Sequence, residues 1–187
     1  MSRDDDEDDR QDFAVVGELG EAQADLHERL IAAEPGSQCT LYFNSPGGDP
    51  YCAISLMNLI LHRDLDCTAI VTGECSSAAL WPFAACRRRL VAPLSVFLFH
   101  SARWESEENI GYREAKQWAS HFEVLARETE ELLAQMLGLP CSLVEQWIHE
   151  GRYVMGPELV ERGCAELLPL PGAPIPVGKA KPSGPSE

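Results

Sequence analysis

Residues 39–50 read Cys39-Thr40-Leu41-Tyr42-Phe43-Asn44-Ser45-Pro46-Gly47-Gly48-Asp49-Pro50. The first five, rich in aromatic and apolar side chains, predict a strand over 39–43 that runs straight into a paired-glycine turn. Asp49 then has the short acceptor side chain of a helix cap. Pro50 fits the first helical position, where its missing N–H costs nothing. The helix predicted over 50–62 is almost continuously apolar (Cys52, Ala53, Ile54, Leu56, Met57, Leu59, Ile60, Leu61), so it is expected to be buried on most sides. Strand, glycine turn and buried helix form one α/β unit.

The same alternation continues outward. A strand is predicted over 13–16 and a helix over 21–33, with Ala22, Leu26 and Leu30 on one face. A strand over 67–71, a helix over 77–86 and a strand over 96–99 follow. Strands alternating with helices imply an α/β fold with a largely parallel sheet. A long helix is predicted over 110–137, stopped by Gly138 and Pro140. Trp118, Phe122, Leu125, Leu132, Leu133 and Met136 give it an apolar stripe. It is longer than a body of this size needs, so part of it is expected to project and pack on another subunit. Ser142 and Glu145 predict a capping box for a helix over 143–150, with Gly151 as its C′ residue. A short helix is predicted from 157 to 163.

The chain divides into an acidic tail, 1–11, a body, 12–168, and a tail over 169–187 holding Pro169, Pro171, Pro174, Pro176, Pro182 and Pro185. Both tails are expected to be disordered. The 187 residues are 45% hydrophobic and carry a net charge of −15. Seven acids and two arginines in residues 1–12 supply −5 of that charge. So acidic a chain argues against nucleic acid, whose phosphates need clustered cations. Arg87-Arg88-Arg89 is too short to alter this and reads as a solvated loop after a helix. The seven cysteines show no CxxC or CxxH spacing, so neither a metal site nor a disulfide framework is expected. They read as buried thiols of a reducing cytoplasm. No apolar stretch is long enough for a membrane span, and the acidic N-terminus is the reverse of a secretory signal. No cofactor is implied.

Three features carry chemistry. Gly47 and Gly48 let backbone approach a ligand closely and turn an N–H toward it. Ser77, in Gly73-Glu74-Cys75-Ser76-Ser77-Ala78-Ala79, falls where a strand gives way to a helix, so free N–H groups there favour an anion. His100 closes the run Val96-Phe97-Leu98-Phe99 at another strand end. Together they offer a nucleophile (Ser77), a general base (His100) and two oxyanion amides (Gly48 and Ala78), the minimum set for acyl transfer.

With these residues in view, the stretch 40–101 resembles the proteolytic subunit of the Clp protease, the ClpP family. Asn44-Ser45-Pro46-Gly47-Gly48 is identical to that family's glycine turn. Its nucleophile segment, roughly Gly-x-Ala-Ala-Ser-Met-Gly, is similar to residues 73–79. Its histidine ends a strand as His100 does. The helix over 110–137 resembles the handle by which two heptameric rings stack. Gly156-Pro157-Glu158-Leu159-Val160-Glu161-Arg162-Gly163 resembles its closing helix and turn. The likeness covers about 13–168. It implies a ClpP/crotonase-like spiral of ββα units with a long handle helix. It also implies a serine endopeptidase enclosed in stacked heptameric rings, cleaving unfolded polypeptide delivered by an AAA+ unfoldase. A mixed assembly with a ClpP paralogue is a further implied partner.

The pattern departs from the family in four places. The family's acidic triad member belongs to an Arg-Asp pair whose match here is Glu150-Gly151, so the Asp position is Gly151. Glu150, or His149, would have to substitute. Around the nucleophile, Glu74 and Cys75 replace small residues, and Trp81 and Pro82 enter the following helix. Only about a dozen acidic residues stand where the family has a pore hairpin, and Thr40 occupies one aromatic docking position while Tyr42 remains. Arg103-Trp104-Glu105-Ser106-Glu107-Glu108-Asn109 replaces a glycine-rich strand that pairs with substrate. The changes fall on triad, pocket, pore and substrate strand. Two alternatives to an active peptidase therefore stand: a catalytically impaired structural or regulatory ring subunit, and a crotonase-like enzyme acting on CoA thioesters.

Overall fold

The computed structural model describes residues 11–103 and 109–168. Both expected tails, apart from Gln11, and positions 104–108 of the altered substrate strand lie outside the described residues. Among the described residues there are seven strands: β1 (Gln11–Val16), β2 (Gln38–Ser45), β3 (Asp66–Cys75), β4 (Arg88–Val91), β5 (Val96–Phe99), β6 (Arg152–Met155) and β7 (Glu166–Leu167). Six α-helices accompany them: α1 (Ala24–Ala32), α2 (Pro50–His62), α3 (Leu80–Ala85), α4 (Tyr112–Leu137), α5 (Cys141–Glu150) and α6 (Gly156–Glu161). Five strands form a parallel sheet in the order β1-β2-β3-β4-β7. β5 leaves that sheet, pairing with the end of β3 at Glu74↔Val96 and antiparallel with β6. The α/β fold class read from the sequence is the one observed.

Several local readings need correction. Arg88 and Arg89 are not a loop; they open β4. Arg88 makes a two-pronged ion pair with Glu166 of β7 (3.0 and 2.8 Å), and Arg89 donates to the carbonyls of Cys164, Ala84 and Cys86. The capping box does not form. α5 begins at Cys141 with Pro140 as its cap, which puts Ser142 inside the first turn, where its hydroxyl has no helix end to close. On the first helix Ala22 is exposed and Gln23 is buried in its place, because residues 21–23 form a 3-10 turn with a different angular step from the α-helix that follows. The helix expected over 77–86 is a 3-10 turn, Ser77–Ala79, followed by the six residues of α3.

Other signals act as expected. Asp49 caps α2 by accepting from the N–H groups of Tyr51 (2.7 Å) and Cys52 (3.3 Å). Gly138 and Gly151 end α4 and α5 in the left-handed region. Five of the seven cysteines are buried, Cys52 and Cys141 are half-buried, and all are free thiols. The residues of α4 that become buried are Thr129, Leu133, Ala134 and Leu137, all in its second half. The first half keeps Tyr112 and Val124 81% and 49% exposed.

The core places three strand ends together. Phe43 of β2 meets Phe83 of α3 edge-on at 6.1 Å, and Phe83 meets Phe97 of β5 at 5.3 Å. All three rings are fully buried. One aromatic row thus binds the strand that feeds the glycine turn, the helix behind Ser77 and the strand that carries His100.

Above this row the glycine turn is held from all sides. β2 bulges at Asn44, whose side-chain Oδ1 accepts from Glu74 N–H (3.2 Å) and occupies the space a side chain on Gly73 would need. Ser45 Oγ donates to Gly17 C=O (2.6 Å) and accepts from Gly47 N–H (3.2 Å). A Cβ on Gly47 would stand 2.7 Å from both Ser77 Cβ and Ser76 O, and 3.0 Å from Ala78 N. The turn and the nucleophile segment therefore touch backbone to backbone. Ser76, fully buried, adds the last tie: its Oγ accepts from Leu98 N–H at 3.1 Å, extending the β3–β5 contact past the point where β3 turns away.

Two substitutions test these contacts by urea unfolding. Gly36 also has positive φ but has open space around its Cβ position, so Gly36→Ala isolates the backbone cost. Gly47→Ala is expected to exceed it by more than about 2 kcal/mol, since it adds collision with backbone. Equal losses would show that the contact yields. Ser76→Ala leaves the buried Leu98 N–H without its acceptor and is expected to cost about 1–3 kcal/mol.

Candidate active site

Ser77, Ala78, Gly48 and His100 line one cavity of about 390 Å³. Each arrives there by a different route. Ser77 sits at φ 55, in the left-handed region that non-glycine residues avoid. A residue held there costs on the order of 1–3 kcal/mol and persists only where its surroundings over-determine it. Here the over-determination is visible: Ser76 N–H donates to Ser45 C=O (3.0 Å), Ser76 Oγ holds Leu98, and Gly47 packs on the Ser77 Cβ. The sharp turn lifts the Ser77 side chain out of the buried run 75–80 into the cavity, half-exposed between buried neighbours.

Gly48 takes φ 140 and forms a parallel bridge with Leu19. Leu19 N–H donates to Gly47 C=O (2.7 Å), and Asp49 N–H donates to Leu19 C=O (2.9 Å). The two bonds straddle Gly48, so its own N–H and C=O face away from Leu19. A side chain at Gly48 would come within 2.4 Å of the Leu19 backbone. Ala78 N–H is the second amide of the first, 3-10 turn after β3, at the end of a segment whose leading amides have no intrahelical acceptor. Gly48 and Ala78, the pair read from the sequence as oxyanion amides, both line the cavity.

His100 follows β5. Its Nδ1 is 2.7 Å from the C=O of Ser101, and only a protonated Nδ1 can donate there. That bond selects the tautomer with a free lone pair on Nε2. Ser77 and His100 line the same cavity but are not hydrogen-bonded to each other; such bonds commonly tighten only when substrate is in place.

No carboxylate reaches His100 among the described residues. The antiparallel register of β5 and β6 ends at Phe99↔Arg152, and Gly151, the residue before Arg152, has no side chain. Glu150 is exposed, lines neither cavity of this region and accepts from Gln146 Nε2 on its own helix (2.8 Å). His149 lines a second, adjacent cavity with Ser101, Glu130 and Glu145. Arg152, opposite Phe99, turns to the face of Trp147 (5.1 Å) and pairs with Glu158 (2.9 Å). Glu74 does not line the cavity, whereas Trp81 and Arg103 do. The sequence reading passed over Ser76 and the Ser101 carbonyl. Ser76 stands where the family pattern has alanine, which is the one signal that could have drawn notice; a backbone carbonyl leaves none.

The remaining walls come from α2, α3, α4 and α5. Tyr51, at the start of α2, reaches α4 through a 2.6 Å hydrogen bond between its hydroxyl and His121 Nε2, with the two rings stacked. Cys75, directly below the nucleophile turn, is buried; burial pushes its thiol well above the ordinary range, and it donates to Ala79 C=O. It is a packing group and no competing nucleophile. Among the described residues no helix is long and apolar enough to cross a membrane, and no cluster of metal-ligating side chains occurs.

The ATP-dependent Clp protease proteolytic subunit of Porphyromonas gingivalis is 26% identical over 148 residues, which are 74% of this chain and 63% of that protein. The chain therefore spans less than two thirds of that relative's length. The profile of the Clp protease family matches residues 15–166, nearly the whole body of the chain. With its glycine turn, strained serine and strand-end histidine gathered at one cavity, the chain belongs to the Clp protease family.

Proposed function

We propose that this chain is a Clp-type serine peptidase subunit working with a Ser77–His100 dyad. The observation that carries the reading is the convergence of Ser77, His100, Gly48 and Ala78 on one cavity. In this mechanism Ser77 Oγ attacks the acyl carbonyl of an unfolded polypeptide. His100 Nε2 takes the hydroxyl proton and returns it to the leaving amine. The N–H groups of Gly48 and Ala78 hold the developing oxyanion, and water then releases the acyl group. The Ser101 carbonyl does part of an acid's work. It fixes tautomer and ring orientation, but as a neutral dipole it stabilises the imidazolium less than a carboxylate would. In a serine-protease example, replacing the triad Asp by Asn lowers kcat about 10⁴-fold, largely by giving the wrong tautomer. Since the tautomer is right here, slow acylation is expected, not abolition.

One observation favours a second reading. With Gly151 at the family's acid position, no described carboxylate is bonded to His100, which also fits a subunit kept for assembly. Under either reading the unburied first half of α4 is a surface for another copy in stacked rings, alone or with a paralogue, and an AAA+ unfoldase is the partner for delivery. Sedimentation velocity is expected to give a species many chains in size; a monomer at micromolar concentration would overturn the ring.

Labelling with an alkyl fluorophosphonate separates the two readings. The folded assembly is expected to label, Ser77→Ala to lose the label entirely, and His100→Ala to slow it by about 10²–10⁴-fold. A folded assembly that does not label supports the scaffold reading. Glu150→Gln decides the acid: a tenfold loss would give Glu150 that role despite its bond to Gln146.

A further inference from the structure

The cavity beside Ser77 is walled mostly by carbon, with Leu80 and Trp81 from α3 and Ile148 from α5. Its longest wall is one face of α4, running from Phe122 through Leu125, Ala126 and Thr129 to Leu133. Burial deepens along that face: Phe122 is half-buried, Thr129 is 9% exposed and Leu133 is 2% exposed. At a rise of 1.5 Å per residue, Glu130 stands about 12 Å from Phe122 along the helix, beside the deep end. It is the one carboxylate set into this wall.

Glu130 has no hydrogen bond or ion pair among the described residues. The other carboxylate at the cavity, Asp49, is engaged by the N–H groups of Tyr51 and Cys52. Arg103, the cation that lines the same cavity, is exposed, so water screens it. Burial first, and Glu145 second, push the Glu130 carboxyl above its ordinary range. Both causes describe a negative charge lacking a partner, and a cation from outside would relieve both.

We propose that Glu130 makes this cavity selective for a cationic side chain, lysine or arginine, on the residue whose carbonyl Ser77 attacks. The proposal rests on the peptidase reading. The methylene stem of such a residue would lie along Leu125, Ala126 and Leu133 while its charged head meets Glu130. A site with a buried polar group rejects an analogue that leaves the group unpaired far better than a plain apolar pocket rejects a shorter chain.

The test uses the full assembled protein and two peptidyl phosphonate esters that differ only in lysine against norleucine beside the phosphorus. Each labelling rate is divided by the same protein's rate with a small alkyl fluorophosphonate. The wild type is expected to favour lysine by about tenfold or more. Glu130→Gln is expected to remove that preference, and Glu130→Asp to restore part of it. A wild-type preference for norleucine, or a ratio that Glu130→Gln leaves unmoved, overturns the proposal while the fluorophosphonate signal keeps the Ser77 reading intact. Loss of the fluorophosphonate signal in the wild type overturns the Ser77 reading, and the selectivity falls with it. If Glu130→Gln does not fold, the wild-type ratio alone decides.

Discussion

The contact between Gly47 and Ser77 is the constraint around which the rest of this structure is arranged. Two backbone segments far apart in sequence approach so closely that one of them can carry no side chain. Ser77 is held at a positive φ by that approach, and the cost of its conformation, on the order of 1–3 kcal/mol, must be met by neighbours. They are identifiable: Ser45 holding Gly17 and Gly47, Asn44 holding Glu74, Ser76 holding Leu98, and Leu19 clamping Gly48. Each such bond contributes about 0.5–1.5 kcal/mol net, so no single one suffices and several together do. The aromatic row Phe43–Phe83–Phe97 beneath them keeps the three strand ends in fixed relation.

The parts of this arrangement legible in the sequence are those whose causes are local. Asp49 before Pro50, the apolar run of α2, and the glycines after α4 and α5 each announce an element through its own residues. What was not legible depends on partners distant in the chain. β4 and β7 are short, and an arginine-rich opening looks like loop until Arg88 is seen to pair with Glu166 of the neighbouring strand. β6 has four residues and exists because β5 lies beside it. Ser142 and Glu145 have the spacing of a capping box, yet Pro140 starts the helix earlier and the spacing serves nothing. The site divides in the same way. Ser77, His100 and the glycines carry motif signals, whereas the Ser76 hydroxyl, the Ser101 carbonyl and the placement of Glu130 are visible only once β5 and α4 are packed.

α4 shows how one helix serves two environments. Its second half buries Thr129, Leu133, Ala134 and Leu137 against the body. Its first half holds none of the fully buried residues of the helix. Trp118 stacks on Phe122 within the helix at 5.7 Å, and Tyr51 of α2 bonds and stacks on His121, which ties this half to the mouth of the cavity. Most helical stability in proteins comes from packing an apolar face, not from intrinsic propensity. The first half, with Tyr112 81% and Val124 49% exposed, draws less on such packing than the second.

The electrostatics around His100 set the tone of the chemistry. The last pair of β5 and β6 sets Arg152, preceded by Gly151, against Phe99, and the charge of Arg152 is drawn away by Glu158 and the face of Trp147. Among the described residues no carboxylate is hydrogen-bonded to or ion-paired with the ring. The Ser101 carbonyl at 2.7 Å supplies direction without charge. An acid in this position has two tasks, to choose the tautomer and to stabilise the imidazolium. A carbonyl performs the first and contributes little to the second. In the proposed mechanism the imidazolium would find its compensation in the oxyanion formed at the same moment, with Gly48 and Ala78 as its proposed donors. Such a dyad would depend most on the glycine turn and the strained serine, the features this fold holds with the most contacts.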